Sequence, residues 1–376
     1  MSSTPRLHYL DNLRVFCMLF GILVQTNRLY EAGPWMVFLD MSGFFRMASF
    51  FAVSGFFAAM LYHRREVKQF FRHRAVAILV PLAFGLLVLN PLTISLITSF
   101  HEPSAPRLGF FEALSGLWGE RAGYSGPASQ VLHLWFLIGL AFYVAMTPMV
   151  IFALRHVGAF VARKVHLPHA TWPFAVSVSV MLLVLLARLV DEMLGRAFGE
   201  SSVTQEIVMF APYFFLGICG YMYRSLWSQL HKIDLTSIIA AAILMTTYHV
   251  GFKDTLSPAS TMMHAAAESM ATMATVFALL WAFRRWVDFE TATTRFLSDG
   301  IYTAYILQIL LIYAFGSVLA LLGVPVQWMY WPVVFLTFFA GYAFYHWVVA
   351  QNSVLTLLFK GRLPDQWERG DTTERA

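Results

Sequence analysis

Apolar residues in this chain come in long runs separated by short polar stretches, without the face-by-face alternation of a water-soluble surface. A helix needs about 20 mainly apolar residues to cross roughly 30 Å of hydrocarbon. Ten stretches of that kind lie near 11–31, 40–62, 75–100, 131–154, 173–194, 205–224, 235–252, 261–283, 298–322 and 327–350. The pattern predicts an all-α, polytopic integral membrane protein with about ten transmembrane helices. Gly323, Val324, Pro325 and Val326 are all that separate the last two spans, a tight turn with a helix-stopping proline. Between the third and fourth spans, Leu108, Phe110, Phe111, Leu114, Leu117 and Trp118 fall at helical spacing, which predicts an amphipathic helix at the membrane interface. Residues 1–355 read as one transmembrane domain and 356–376 as a polar cytoplasmic tail.

Charge orients the spans. With the N-terminus inside, eighteen Lys and Arg residues fall on inner segments and five on outer loops or the outer end of the first span. Cytoplasmic loops carry such an excess, so both termini are expected in the cytoplasm. Composition agrees: 59% of residues are hydrophobic and 12% charged, against about a quarter charged in soluble domains. The net charge of +5 follows from this topology and points to no nucleic-acid partner. Cys17 and Cys219 each lie in an apolar run and offer neither a disulfide framework nor a thiolate site, and no histidine spacing suggests a metal. The first apolar run leads into Gln25, Thr26, Asn27 and Arg28 instead of a small-residue cleavage site, so the N-terminal dozen residues are expected to be retained.

Candidate chemistry sits where polar groups interrupt the spans, since each is costly in lipid unless it faces protein or water. The first span has an uninterrupted apolar run only from Val15 to Val24, which implies protein or a polar cavity around it. Arg14 and Gln25, eleven residues apart, share one face of that helix at a separation of roughly 16 Å. In the ninth span Gln308 lies at a similar depth, and Tyr305 shares its face. The two amides could line a common cavity or simply bond to each other and glue the helices. A second set, Arg46, Arg188, Asp191 and Glu268, lies toward the outer half and suggests either a vestibule for a polar substrate or neutralisation between helices, with an Arg46–Glu268 ion pair expected. His133, at the head of the fourth span, is the best placed of the scattered histidines. The basic run containing Arg64, Arg65, Arg72 and Arg74 could join Arg14 in gripping a phosphate-bearing donor, because guanidinium binds phosphate in a bidentate fashion. Positive-inside topology and contact with anionic membrane lipids call for the same residues.

The segments Tyr9-Leu10-Asp11-Asn12-Leu13-Arg14, Phe45 to Phe56, His133-Leu134-Trp135-Phe136-Leu137, Pro212 to Gly217, and Ser298 to Tyr305 together resemble the acyltransferase 3 family of membrane O-acyltransferases, and within it the glucan biosynthesis protein C type. Their order and spacing cover essentially the whole chain. The resemblance implies a bacterial inner-membrane enzyme that moves an acetyl or succinyl group from cytoplasmic acyl-CoA to a hydroxyl of a carbohydrate or lipid. No tightly bound cofactor is implied. It also implies a histidine eleven positions after Arg14 and another in the ninth span, where this chain has Gln25 and Gln308. Imidazole carries protons near neutral pH and an amide does not. Two functional expectations follow. One is an acyltransferase whose proton transfer falls to another group, such as His133 or Glu268. The other is a catalytically silent relative serving as a membrane subunit or assembly factor of a larger protein complex. A transporter for a small polar solute is disfavoured by the lack of an inverted repeat.

Overall fold

A computed structural model describes residues 7–27, 39, 41–101, 103–104, 106–115, 131–164, 172–198, 202–223, 243–244, 247 and 261–362. Among them there is no strand. The main helices are α1 (His8–Asn27), α2 (Arg46–Arg64), α3 (Val67–Phe84), α4 (Asn90–His101), α5 (Phe110–Ser115), α6 (Trp135–Lys164), α7 (Trp172–Phe198), α8 (Ser202–Met222), α9 (Thr261–Trp286), α10 (Ala292–Leu321), α11 (Val326–Phe344) and α12 (Ser353–Lys360). Eight helical segments among the described residues are long and apolar enough to cross a membrane, so the fold is that of an all-α polytopic membrane protein. The expected span at 235–252 lies outside the described residues. The expected first span is α1, which is helical but too polar to be counted with the eight.

Protein supplies what lipid would not tolerate around α1. Its buried residues, among them Leu10, Leu13, Cys17, Met18, Ile22 and Thr26, are spread round the helix rather than along one stripe. It packs against α2, α9, α10 and α11. Its N-terminal end is tied to the loop between α9 and α10. The Asn12 amide donates to the Val287 and Phe289 carbonyls at 2.8 and 3.1 Å, and the Tyr9 N–H donates to Asp288 at 3.1 Å. Asn12 of the opening motif is therefore a clamp on backbone, and the Tyr9 main chain is held by the Asp288 carboxylate.

The closest helix pair is α2 against α8. A Cβ on Gly55 would lie 2.0 Å from the Phe214 carbonyl oxygen, and one on Gly217 would lie 1.9 Å from that of Ala52. Only glycine permits such backbone approach, the usual device where helices associate inside a bilayer. Helices α3 and α4 run on as one segment, Val67–His101, joined by a π turn over Gly85–Leu89. Pro81 and Pro91 flank that turn, and the Leu134 side chain fills the space beside Gly85, where a Cβ would stand 2.5 Å away.

Helices α10 and α11 meet through the tight turn foreseen at 323–326, with Gly323 at φ 75° and Pro325 capping α11. The interfacial helix expected in 101–130 is represented by α5, and residues 116–130 lie outside the described set. Beyond the last long helix, α12 begins on Asn352, whose side chain accepts from the Val354 and Leu355 N–H groups. It ends on Gly361, which is left-handed at φ 59°. Phe359 docks it between Phe84 and Phe344, with ring centroids at 5.0 and 5.6 Å.

Candidate functional site

Side chains of α1, α2, α3, α6, α8, α10 and α12 line a partly open cavity of about 350 Å³, within the range of small-molecule sites. Arg14 from α1, Arg74 from α3, Lys360 from α12 and Arg362 just beyond it line the cavity, and Asp299 of α10 is the one carboxylate on its wall. Ser54, His73, Ser298 and Tyr302 add neutral donors and acceptors. Four cations facing one carboxylate favour an anionic ligand.

The existing pairings leave much of that charge uncompensated. Arg14 reaches Asp11 at 3.6 Å, and Arg362 reaches Asp299 at 3.9 Å. Both are longer than a good charge-assisted hydrogen bond. The Arg74 Nε is buried and makes no hydrogen bond to a described residue. Lys360 donates to the Tyr345 hydroxyl at 3.3 Å and lies 4.6 Å from the centre of that ring. Burial, aided by the Arg362 and Arg14 charges and opposed by Asp299, pulls the Lys360 amine down to about 8.

The basic run between α2 and α3 is divided by the fold. Arg74 lines the cavity, whereas Arg64, Arg65 and Arg72 are exposed and do not. His73, from the same basic run, lines the cavity beside Arg74, and Lys360 and Arg362 are cavity residues that sequence reasoning passed over.

Deeper in the bundle is a chamber of about 10 Å³ lined by Cys17, Arg46, Met47, Phe136 and Tyr305, room for about one water molecule. Met18 and Phe50 line both spaces and form the partition between them. His133 is buried behind Tyr305, with ring centroids 5.5 Å apart. Its Nε2 lies 3.2 Å from the Ile306 carbonyl oxygen. A carbonyl only accepts, so the bond assigns a proton to Nε2.

Gln308 is fully buried, and neither its Oε1 nor its Nε2 has a hydrogen-bond partner among the described residues. The interhelical Gln–Gln bond is therefore not formed. Gln308 faces Gly21, where a Cβ would stand 3.3 Å from the amide oxygen and 3.0 Å from Tyr305. Gln25 is half-buried one turn farther along α1, roughly 6 Å beyond.

The outer set resolves differently from the expected pair. Glu268 bonds Arg188 at 3.2 Å, joining α9 to α7, whereas Arg46 turns to the chamber wall. Neither Glu268 nor Arg188 lines the cavity or the chamber. Asp191, half-buried and one turn beyond Arg188 on α7, lines neither space either.

Comparison with known proteins gives this geometry its context. Glucans biosynthesis protein C of Salmonella agona (strain SL483) is 22% identical over 282 residues, covering 66% of this chain and 67% of that protein. The protein of the same name from Escherichia coli O6:K15:H31 is 25% identical over 172 residues, 42% of each chain. No solved structure matches the chain. The family model described as an acyltransferase domain matches residues 7–346, from the Asn12 clamp through the last membrane helix, and the chain belongs to the acyltransferase 3 family.

Proposed function

We propose that this protein transfers an acyl group, acetyl or succinyl, from cytoplasmic acyl-CoA to a hydroxyl of a glycan or lipid acceptor at a bacterial inner membrane. The observation that carries the reading is the cavity of about 350 Å³ whose four cations, Arg14, Arg74, Lys360 and Arg362, face a single carboxylate. A phosphate-bearing donor is what that charge balance suits. In the reaction, the acceptor oxygen attacks the thioester carbonyl, the C–S bond breaks, and the hydroxyl proton passes to the departing thiolate. At the two family histidine positions stand Gln25 and Gln308, so the proton needs another carrier. His133 is the better candidate of the two considered, because it packs on the chamber-lining Tyr305, whereas Glu268 is committed to Arg188 away from both spaces.

A second reading draws on the same substitutions. Gln308 is a buried amide that can bind but not titrate. It favours a relative that retains the site without turnover and works as a membrane subunit or assembly factor within a complex. One experiment separates the two. Purified protein in lipid nanodiscs is given acetyl-CoA or succinyl-CoA with a hydroxyl acceptor, and release of free CoA thiol is followed. Turnover above a boiled control that falls about 10²-fold or more in His133→Gln supports the enzyme. CoA binding without turnover, together with a partner that co-purifies, supports the silent reading.

A further inference from the structure

The basic cavity is completed by a segment outside the membrane helices. We propose that Lys360 and Arg362, presented by α12, are ligand-positioning residues that grip the phosphate groups of the donor, and that Gly361 is the joint holding them in place. The inference rests on the donor-binding reading of the cavity and adds to it a binding element the spans do not contain.

Three observations support it. First, the segment is built against the bundle. A Cβ on Gly361 would stand 2.3 Å from the Ala77 Cα and 2.5 Å from the Val76 carbonyl oxygen, on top of its left-handed φ of 59°. Any other residue would lift the strap off α3, the helix that supplies Arg74. Phe359, buried beside Phe84 and Phe344, pins the other side.

Second, neither cation is consumed by structure. Among the described residues no carboxylate lies within ion-pair distance of Lys360, whose bonds are to the hydroxyl and face of Tyr345. Arg362 holds Asp299 only at 3.9 Å, which leaves guanidinium N–H groups available.

Third, the charges come from separate elements of the fold. Arg14 and Arg74 belong to membrane helices and Lys360 and Arg362 to the strap, an arrangement that suits a ligand with more than one phosphate. The exposed Arg64, Arg65 and Arg72 lie outside this cavity.

The test uses the full chain in nanodiscs of zwitterionic phospholipid, with adenosine 3′,5′-bisphosphate and CoA as probes and binding read by calorimetry. Lys360→Gln and Arg362→Gln are each expected to weaken binding about tenfold, the usual scale for a charge-assisted bond. Lys360→Arg should restore most of the loss, and Arg64→Gln with Arg65→Gln should change affinity less than twofold. Each variant must elute as a single species, and rescue by Lys360→Arg separates lost contact from lost folding.

The outcomes are distinguishable. If the wild type binds, Arg14→Gln and Arg74→Gln abolish binding, and the strap variants bind as the wild type does, the strap role is overturned while the donor site stands. If the wild type binds neither probe, both fall. If phosphatidylglycerol in the nanodisc displaces the probes at equal affinity, the cavity serves a lipid headgroup and the soluble-donor assignment is overturned.

Discussion

Gln308 offers the sharpest energetic test, because it should be a net liability to the fold. Its side chain is fully buried in α10, packed under Gly21 of α1, and neither amide atom is hydrogen-bonded to a described residue. Leaving a buried polar group unbonded costs about 1–3 kcal/mol. Met has nearly the same volume and flexibility and no polar atom, so Gln308→Met removes the penalty without opening a cavity. We expect a gain of roughly 1–2 kcal/mol, since the swap costs a fraction of a kcal/mol in packing. Thermal unfolding in detergent, followed by tryptophan fluorescence or by loss of the monodisperse chromatographic peak, reads it as a midpoint raised by a few degrees. Gly21→Ala serves as a companion, pressing a methyl to 3.0 Å from Tyr305, and should lower the midpoint. A Gln308→Met protein less stable than the wild type by more than about 1 kcal/mol would refute the reasoning, because it would mean the amide makes bonds that stabilise the α1–α10 contact.

Other outcomes follow from the same structure. Gly55→Val or Gly217→Val drives a side chain into backbone 2.0 or 1.9 Å away; overpacking of this kind costs about 1–3 kcal/mol or more, so folded yield should collapse. Gly43→Ala, with nothing within 4 Å, should express normally. Asn12→Ala removes two bonds to the Val287 and Phe289 carbonyls and should cost about 1–2 kcal/mol of stability in the same unfolding assay. Lys360 gives a pH signature. Its proton leaves as pH rises through about 8, so binding of adenosine 3′,5′-bisphosphate should weaken several-fold between pH 7.5 and 9.5, and Lys360→Arg should flatten the profile. The sign for stability is opposite: the folded state binds the proton less tightly than the unfolded state, so the penalty is full below about 8 and is relieved as pH rises from there toward 10.5. The groups facing Lys360 (Arg14, His73, Arg74, Asp299, Tyr302, Tyr345 and Arg362) should be checked for the same trend by single substitution. Gln25→His and Gln308→His, singly and together, should raise acyl-transfer turnover if the site lacks only its proton carriers; unchanged turnover with intact CoA binding favours the silent relative.

The membrane architecture was legible because length and apolarity are properties of a single segment, and the bilayer imposes them directly. The site was less so, because it depends on azimuth. Arg72 and Arg74 are two residues apart, roughly 200° around a helix, which puts Arg74 on the cavity wall and Arg72 outside it. A depth argument likewise placed Arg46 level with Glu268 without saying which way either pointed, and Arg188 took the glutamate. Counted from the N-terminal ends of their helices Gln25 and Gln308 are level, yet Gln308 meets Gly21, one turn before Gln25 on α1. The strap did leave a local signal. Asn352 before the eight-residue helix and Gly361 after it are a helix N-cap and a C-terminal glycine, although nothing local shows that the helix folds back over α3.

The two glutamines leave the scaffold and the chemistry separable. Helix α1 is too polar to face lipid, and it is held by its motif residues rather than by an imidazole. Asn12 and Tyr9 fix its N-terminal end to the 287–289 loop, Gly21 brings its middle onto Tyr305 and Gln308, and Arg14 is thereby carried to the cavity wall. None of these contacts calls on an imidazole. At the two positions where the family resemblance implies histidines, glutamine can bond but carries no proton, a role in which one histidine ordinarily gives about 10²–10⁴-fold acceleration. Arg14, Arg74, Lys360 and Arg362 stand on the wall of one cavity with a single carboxylate among them, and that unbalanced charge is the physical reason to expect an anionic ligand there, with or without turnover.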